Sequence, residues 1–205
     1  MTAHQESWDV IVVGGGGSGL AAAYRIAEKG GRVLVLEKQP QWGGTTGIAV
    51  GTFTSSGTSM QRAAGISDNA AAHAEDAGQF APADIEARNN GPLRDWFLSE
   101  TATTFEWLCG LGLSFFGPSP EPPNRVPRMH NVVPGAKAYI AALQLGIVRL
   151  GGVIRLERYD PVGSWVAHRL GLDQRPAGCR GGNERGRATS LKTVVSSCPS
   201  SDRRK

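Results

Sequence analysis

The 205-residue sequence predicts an α/β fold organised around a parallel sheet, and three local observations carry that prediction. A β-branched run, Val10-Ile11-Val12-Val13, leads into Gly14-Gly15-Gly16-Gly17-Ser18-Gly19. A stretch rich in small apolar residues follows, from Leu20 to Lys29. A second apolar run, Val33-Leu34-Val35-Leu36, then ends on an acid, Glu37. Strand, glycine turn, helix, strand and terminal acid within about 30 residues are the context of a dinucleotide-binding βαβ unit.

The first strand is expected over residues 8–13, where continuous β-branched residues suit burial on both faces of a parallel sheet. Gly14, Gly16 and Gly19 fall at the G-x-G-x-x-G spacing. Gly14 permits the tight turn, Gly16 lets backbone approach a pyrophosphate, and Gly19 lets the helix pack close to the strand. Phosphates then meet exposed amide groups at the helix N-terminus, the positive end of the helix dipole. The helix is expected over 18–29, stopped by Gly30-Gly31. The second strand is expected over 32–37. Glu37 lies 18 residues after Gly19, where its carboxylate accepts from both ribose hydroxyls and repels a 2′-phosphate, which argues against NADP. Further helices are expected over 67–78, 91–99, 101–110 and 136–150, and a third strand over 152–157. The whole reads as a Rossmann-like parallel sheet, incomplete, followed by a disordered C-terminal tail.

After Glu37 and Lys38 comes a second loop, Trp42-Gly43-Gly44-Thr45-Thr46. A nicotinamide dehydrogenase has no particular need of it, whereas a larger extended cofactor needs further amides and hydroxyls, which favours FAD. At these residues the chain resembles the flavoprotein family of fumarate reductase and succinate dehydrogenase flavoprotein subunits and 3-ketosteroid Δ1-dehydrogenases. The glycine run, the Glu37-Lys38 pair and the Gly43 to Thr46 loop look like that family's cofactor contacts. Ser67-Asp68-Asn69, the segment Leu93 to Leu113 and Arg125 to His130 look like its downstream elements. The resemblance covers roughly residues 7–157 and implies FAD held by Gly14, Gly16, Gly17, Ser18, Gly19, Glu37, Lys38, Gly43, Gly44, Thr45 and Thr46. It departs at Pro134-Gly135-Ala136, where many relatives carry paired glycines. It also implies a longer enzyme with a substrate-covering cap and a returning C-terminal segment. Residues 7–160 are therefore expected to be the N-terminal portion of an FAD-binding domain.

Beyond Asp160 no hydrophobic period persists, and Arg, Gly, Ser and Pro dominate. Residues 161–205 hold nine Lys/Arg against three Asp/Glu, a net +6, while residues 1–160 carry thirteen against fifteen, a net −2. The basic balance thus belongs to the tail, read as disordered and frameshifted or non-native, and it is no nucleic-acid footprint. Cys109, Cys179 and Cys198 form neither a metal spacing nor C-x-x-C, and Cys109 reads as a small core residue. The polar N-terminal residues and the lack of a spanning apolar stretch lead to the expectation of a cytoplasmic protein with no membrane span.

Candidate chemistry is sparse. Arg128 and His130, in the Pro-rich loop Gly117 to Pro134, could bind a substrate carboxylate or stabilise an enolate-like transition state. Against this stands an arginine paired with a local acid such as Glu121. His73 reads as a solvated helix position, and Tyr139 as core with its hydroxyl at an edge. Trp96, Phe97, Phe105, Trp107, Phe115 and Phe116 read as helix-packing core. The resemblance places the proton-handling residues largely in the cap and C-terminal parts, so no catalytic residue is assigned. The expected function is FAD-dependent hydride transfer at a carbon–carbon bond next to a carbonyl or carboxylate of a small-molecule substrate. The alternatives are an inert fragment that binds nucleotide weakly and an NAD-dependent dehydrogenase. No metal and no nucleic-acid partner are expected.

Overall fold

The computed structural model describes residues 7–156 and 192–195. In chain order the elements are β1 (Val10–Val13), α1 (Gly17–Glu28), β2 (Val33–Glu37), α2 (Gly44–Ile48), β3 (Thr52–Thr54), α3 (Ser59–Ala63), α4 (Ala70–Ala77), α5 (Ala83–Glu86), α6 (Gly91–Gly110), β4 (Ser114–Ser119), β5 (Met129–Val133), α7 (Lys137–Arg149), β6 (Val153–Leu156) and β7 (Lys192–Val195). The chain divides into two compact units, residues 1–44 with 147–205, and residues 45–146.

The first unit is the α/β layer. Its sheet is parallel in the order β6-β2-β1-β7, with Val10 opposite Val33 and Leu34 opposite Val153. A strand with parallel neighbours on both sides must be apolar on both faces, and β2 is buried along its whole length. Ile11, Leu34 and Leu36 cluster on one face with Trp8, Val13 and Val153 packed against them. Val12, Val33 and Val35 are fully buried and alternate onto the other face. Helix α1 packs on β1 and β2 and buries Leu20, Ala23 and Ala27, the stripe that a 3.6-residue period places on one side. It stops where Gly30 turns to φ 79° and the Gly30 and Gly31 amides donate to the Ala27 and Ile26 carbonyls. That pair of bonds is the Schellman closure. Within the stretch expected as a disordered tail, Lys192–Val195 lie parallel to β1 at the edge of the sheet. The remaining residues of 161–205, with Cys179 and Cys198, lie outside the described residues.

The second unit is built on an antiparallel sheet, β3-β5-β4, which the sequence did not announce. Its core joins Leu108, Leu113 and Val132 with Phe53, Phe115 and Tyr139. Phe105 lies fully buried among the rings of Phe115, at 4.8 Å, and His130, at 4.5 Å. The two helices expected over 91–99 and 101–110 are one, α6, capped by the Asn90 side chain accepting from the Leu93 amide. The polar stretch Ser99-Glu100-Thr101 does not break it, because the Thr101 hydroxyl donates to the Leu98 carbonyl inside the helix. Its buried stripe is Leu98, Thr101, Phe105 and Leu108. Trp96 and Phe97 fall off that stripe at 63% and 59% exposure, and Phe116 faces out from β4, so these three are not the core residues expected.

Candidate cofactor site

The glycine turn is assembled within the first unit. Gly14 leaves β1 with φ 112°, and its amide donates to the Leu36 carbonyl at 2.8 Å. That bond ties the turn to the end of β2. Gly15 is held from two sides. Its amide donates to Glu37 Oε2 at 2.6 Å, and its carbonyl accepts from the Gly43 amide at 2.9 Å. A Cβ on Gly15 would sit 2.3 Å from Trp42 Cε3, so Trp42 seals that side of the turn. Gly16 caps α1 with no side chain bonded to the helix amides, and no acid occupies the first turn. The exposed end of the helix dipole is therefore left to an external anion. A Cβ on Gly16 would meet only the Gly43 carbonyl oxygen, at 3.8 Å.

This geometry fits a pyrophosphate: a bare helix terminus, open space beside Gly16, and a loop brought alongside by the Gly16–Gly43 bridge. Gly17 is half-buried, Ser18 exposed and Gly19 buried within the first turn of α1. Glu37 is buried at the end of β2, and its Oε1 accepts from the Gln39 amide at 2.8 Å. Each carboxylate oxygen keeps a second lone pair, so ribose hydroxyls could donate without displacing the backbone. Lys38 is exposed beside it. Gly43 and Gly44 take φ 116° and 48°, and Gly44 starts α2, on which Thr45 is exposed and Thr46 half-buried. FAD's adenosine diphosphate would be held by Gly16 to Gly19 and Glu37.

The second unit gives Arg128 and His130 a different setting from the one expected. Arg128 is 1% exposed. Its Nε and Nη2 donate to the two oxygens of Asp68 at 2.7 and 2.8 Å, and its Nη1 donates to Asp76 Oδ2 and Asn124 Oδ1. The charge is thus met by two buried carboxylates and not by Glu121. His130 is 0% exposed, with Nε2 at 2.9 Å from the Thr58 hydroxyl and Nδ1 at 3.2 Å from the Phe53 carbonyl. Thr58 caps α3 in a reciprocal capping box with Gln61, whose side chain donates to Asp68. Arg128, Asp68, Gln61, Thr58 and His130 therefore form one continuous internal network, and both sequence candidates belong to it.

Burial works to raise the Asp68 and Asp76 carboxyls. Hydrogen bonds outweigh it, from Arg128 and Gln61 to Asp68 and from the Arg125 amide and Arg128 to Asp76, so both lie below the usual carboxylate range. His73, read from the sequence as solvated, is 4% exposed. Burial and the nearby Arg128 charge push it down to about 4. Burial likewise lowers His130. Tyr139 donates its hydroxyl to the Gly51 carbonyl at 2.9 Å, and burial raises it to about 12. Asp76, which joins this network through Arg128, was missed, and His73 was read as solvated, because polar residues facing inward on α4 are invisible to a hydrophobic pattern. Among the described residues no cluster could hold a metal ion, and no helix is long and apolar enough to cross a membrane.

Comparison with known proteins agrees with the glycine turn. The FAD binding domain family matches residues 9–182. The NADH:fumarate oxidoreductase of Klebsiella pneumoniae (strain 342) is 34% identical over 108 residues, 53% of this chain and 11% of that protein. The 3-oxosteroid 1-dehydrogenase of Rhodococcus opacus is 39% identical over 61 residues, 30% of this chain and 12% of that protein. Among solved structures, the open conformation of a flavocytochrome c3 fumarate reductase superposes with a TM-score of 0.65 at 28% identity, covering 74% of this chain and 27% of that one. The chain thus spans only a small part of the length of the relatives it matches.

Proposed function

The chain belongs to the FAD binding domain family, and from that premise we propose that it is the cofactor-holding part of a flavin-dependent oxidoreductase acting on a small molecule. The observation that carries this reading is the uncapped α1 terminus beside Gly16, with Glu37 fixed at the end of β2. Gly14, Gly16 to Gly19, Glu37, Lys38, Gly43, Gly44, Thr45 and Thr46 are the proposed contacts. The reaction is hydride exchange at a carbon–carbon bond activated by a neighbouring carboxylate or ketone, the hydride chemistry being what bound flavin supplies. The names of the fumarate and steroid relatives support both activating groups.

Purified chain titrated with FAD should bind it stoichiometrically, with quenched flavin fluorescence and a shifted visible band. A colourless protein that ignores FAD would overturn the reading, and selective stabilisation by NAD would replace it with the nicotinamide alternative. A second reading, FAD binding without turnover, is favoured by one observation. Arg128, the cation expected at a substrate, is consumed by Asp68 and Asp76. Reduction of bound FAD by dithionite with no reoxidation by fumarate or a 3-ketosteroid enone would establish it. A reducing, cytoplasmic setting belongs to the same proposal. Cell fractionation tests it.

A further inference from the structure

Trp42 seals one side of the glycine turn, and its ring lies at the point where that turn meets Glu37. The place a Cβ would take on Gly15 is already filled by the benzo ring of the indole, since such an atom would collide with Cε3 and lie 2.7 Å from Cζ3. Glu37 Cβ is 3.2 Å from the same point. Backbone delivers the indole there: the next residue, Gly43, donates to the Gly15 carbonyl at 2.9 Å and bridges to Gly16. All of these residues belong to the first unit.

Two amides fix the Glu37 carboxylate, and they differ in their exposure to water. The bond from the Gly15 amide to Oε2, at 2.6 Å, is buried, whereas the bond from the Gln39 amide to Oε1, at 2.8 Å, is only partly so. A hydrogen bond to a charged group strengthens as water is excluded from it. A carboxylate locked in this way also meets its ligand without first having to be ordered. Resting on the FAD-holding function proposed above, we propose that Trp42 is a positioning residue for Glu37: packed on Gly15, it keeps water from the Gly15–Glu37 bond and so holds the carboxylate where it accepts from a ribose 2′-hydroxyl. Without the indole the carboxylate turns into solvent, and a nucleotide gains little from carrying that hydroxyl.

The test uses the full chain loaded with FAD, displaced by ADP or by 2′-deoxy-ADP, with flavin fluorescence as the readout. Wild type should prefer ADP by about tenfold or more, the scale of one hydrogen bond to a charged group. In Trp42→Ala the preference should fall to about twofold or less, because the carboxylate is no longer preorganised. Glu37→Gln should lower it as well, and adding Trp42→Ala to that variant should lower it no further. Trp42→Phe, which restores an aromatic cover, should recover most of the preference. Trp42→Leu, a smaller truncation, should give an intermediate value and reads the same effect if Trp42→Ala does not fold. General loosening of the turn would weaken both nucleotides alike, so an unchanged preference in Trp42→Ala or Trp42→Leu overturns the proposal while leaving FAD holding intact. A wild-type chain that takes FAD without preferring ADP overturns it in the same way, and one that takes no FAD overturns both.

Discussion

Gly15 and Gly16 are adjacent and chemically identical, but the structure gives them opposite reasons for being glycine. At Gly15 a Cβ would strike Trp42 Cε3 at 2.3 Å, whereas at Gly16 it would have open space apart from one carbonyl oxygen at 3.8 Å. Gly15→Ala must move a packed indole, and overpacking of that kind costs about 1–3 kcal/mol. It should lower the midpoint of denaturant unfolding. Gly16→Val should keep that midpoint close to wild type and weaken FAD binding by roughly tenfold or more, about 1.4 kcal/mol, measured by fluorescence titration. Equal loss of stability in both would show that Gly16 is there for the fold. Arg128 separates structure from function just as sharply. If it held substrate, Arg128→Met would leave the resting protein stable. Because it neutralises Asp68 and Asp76 inside the unit, the substitution strands two buried carboxylates. The expected cost is about 3–5 kcal/mol of unfolding free energy, and Arg128→Met with both aspartates changed to asparagine should recover part of it.

Helix α4 concentrates the acid sensitivity of the second unit, since it carries both His73 and Asp76. An unfolded histidine takes its proton near 6.5, while folded His73 does so at about 4. Between those values the unfolded chain holds more protons, so falling pH draws the protein towards it. The loss reaches at most roughly 3 kcal/mol. His130, also lowered by burial, adds to the same slope. Asp68 and Asp76 sit below their ordinary values, so their contribution is full above about pH 4 and fades only below it. Stability measured against pH should therefore begin to fall near pH 6.5 and steepen below 4. In His73→Gln the upper slope should shrink and the lower one persist; an unchanged upper slope would remove His73 from the account. None of this was legible in the sequence, because Arg128 meets its carboxylates across 60 and 52 positions of chain. The βαβ unit was legible because strand, turn, helix and acid are contiguous and each follows from local geometry. The sheet β3-β5-β4 was not: β3 has three residues, β4 contains Gly117 and Pro118, and β3 finds β5 more than 70 positions away. Strand propensity cannot signal so short a segment.

For the whole molecule the decisive surface is the edge of the parallel sheet. β2 lies between β1 and β6 and has both rows of backbone groups paired, so the open question falls on the far side of β1. There Val10 to Val13 lie opposite Lys192 to Val195 in parallel register. Without that strand a row of amide and carbonyl groups flanked by β-branched side chains would face solvent, the pattern that templates pairing between chains. Charge acts in the same sense, since residues 161–205 carry a net +6 and residues 1–160 a net −2. Removing the tail thus removes both a strand and the charge that keeps molecules apart. A chain ending at Leu156 should scatter light at concentrations where the full chain stays clear. A Lys at Val10 or Val12 would be a poor remedy, because Val12 is fully buried. Restoring residues 192–195 on a short polar linker should suppress the scattering if strand pairing is the cause. Suppression by an equally charged linker lacking those four residues would instead assign the effect to charge alone.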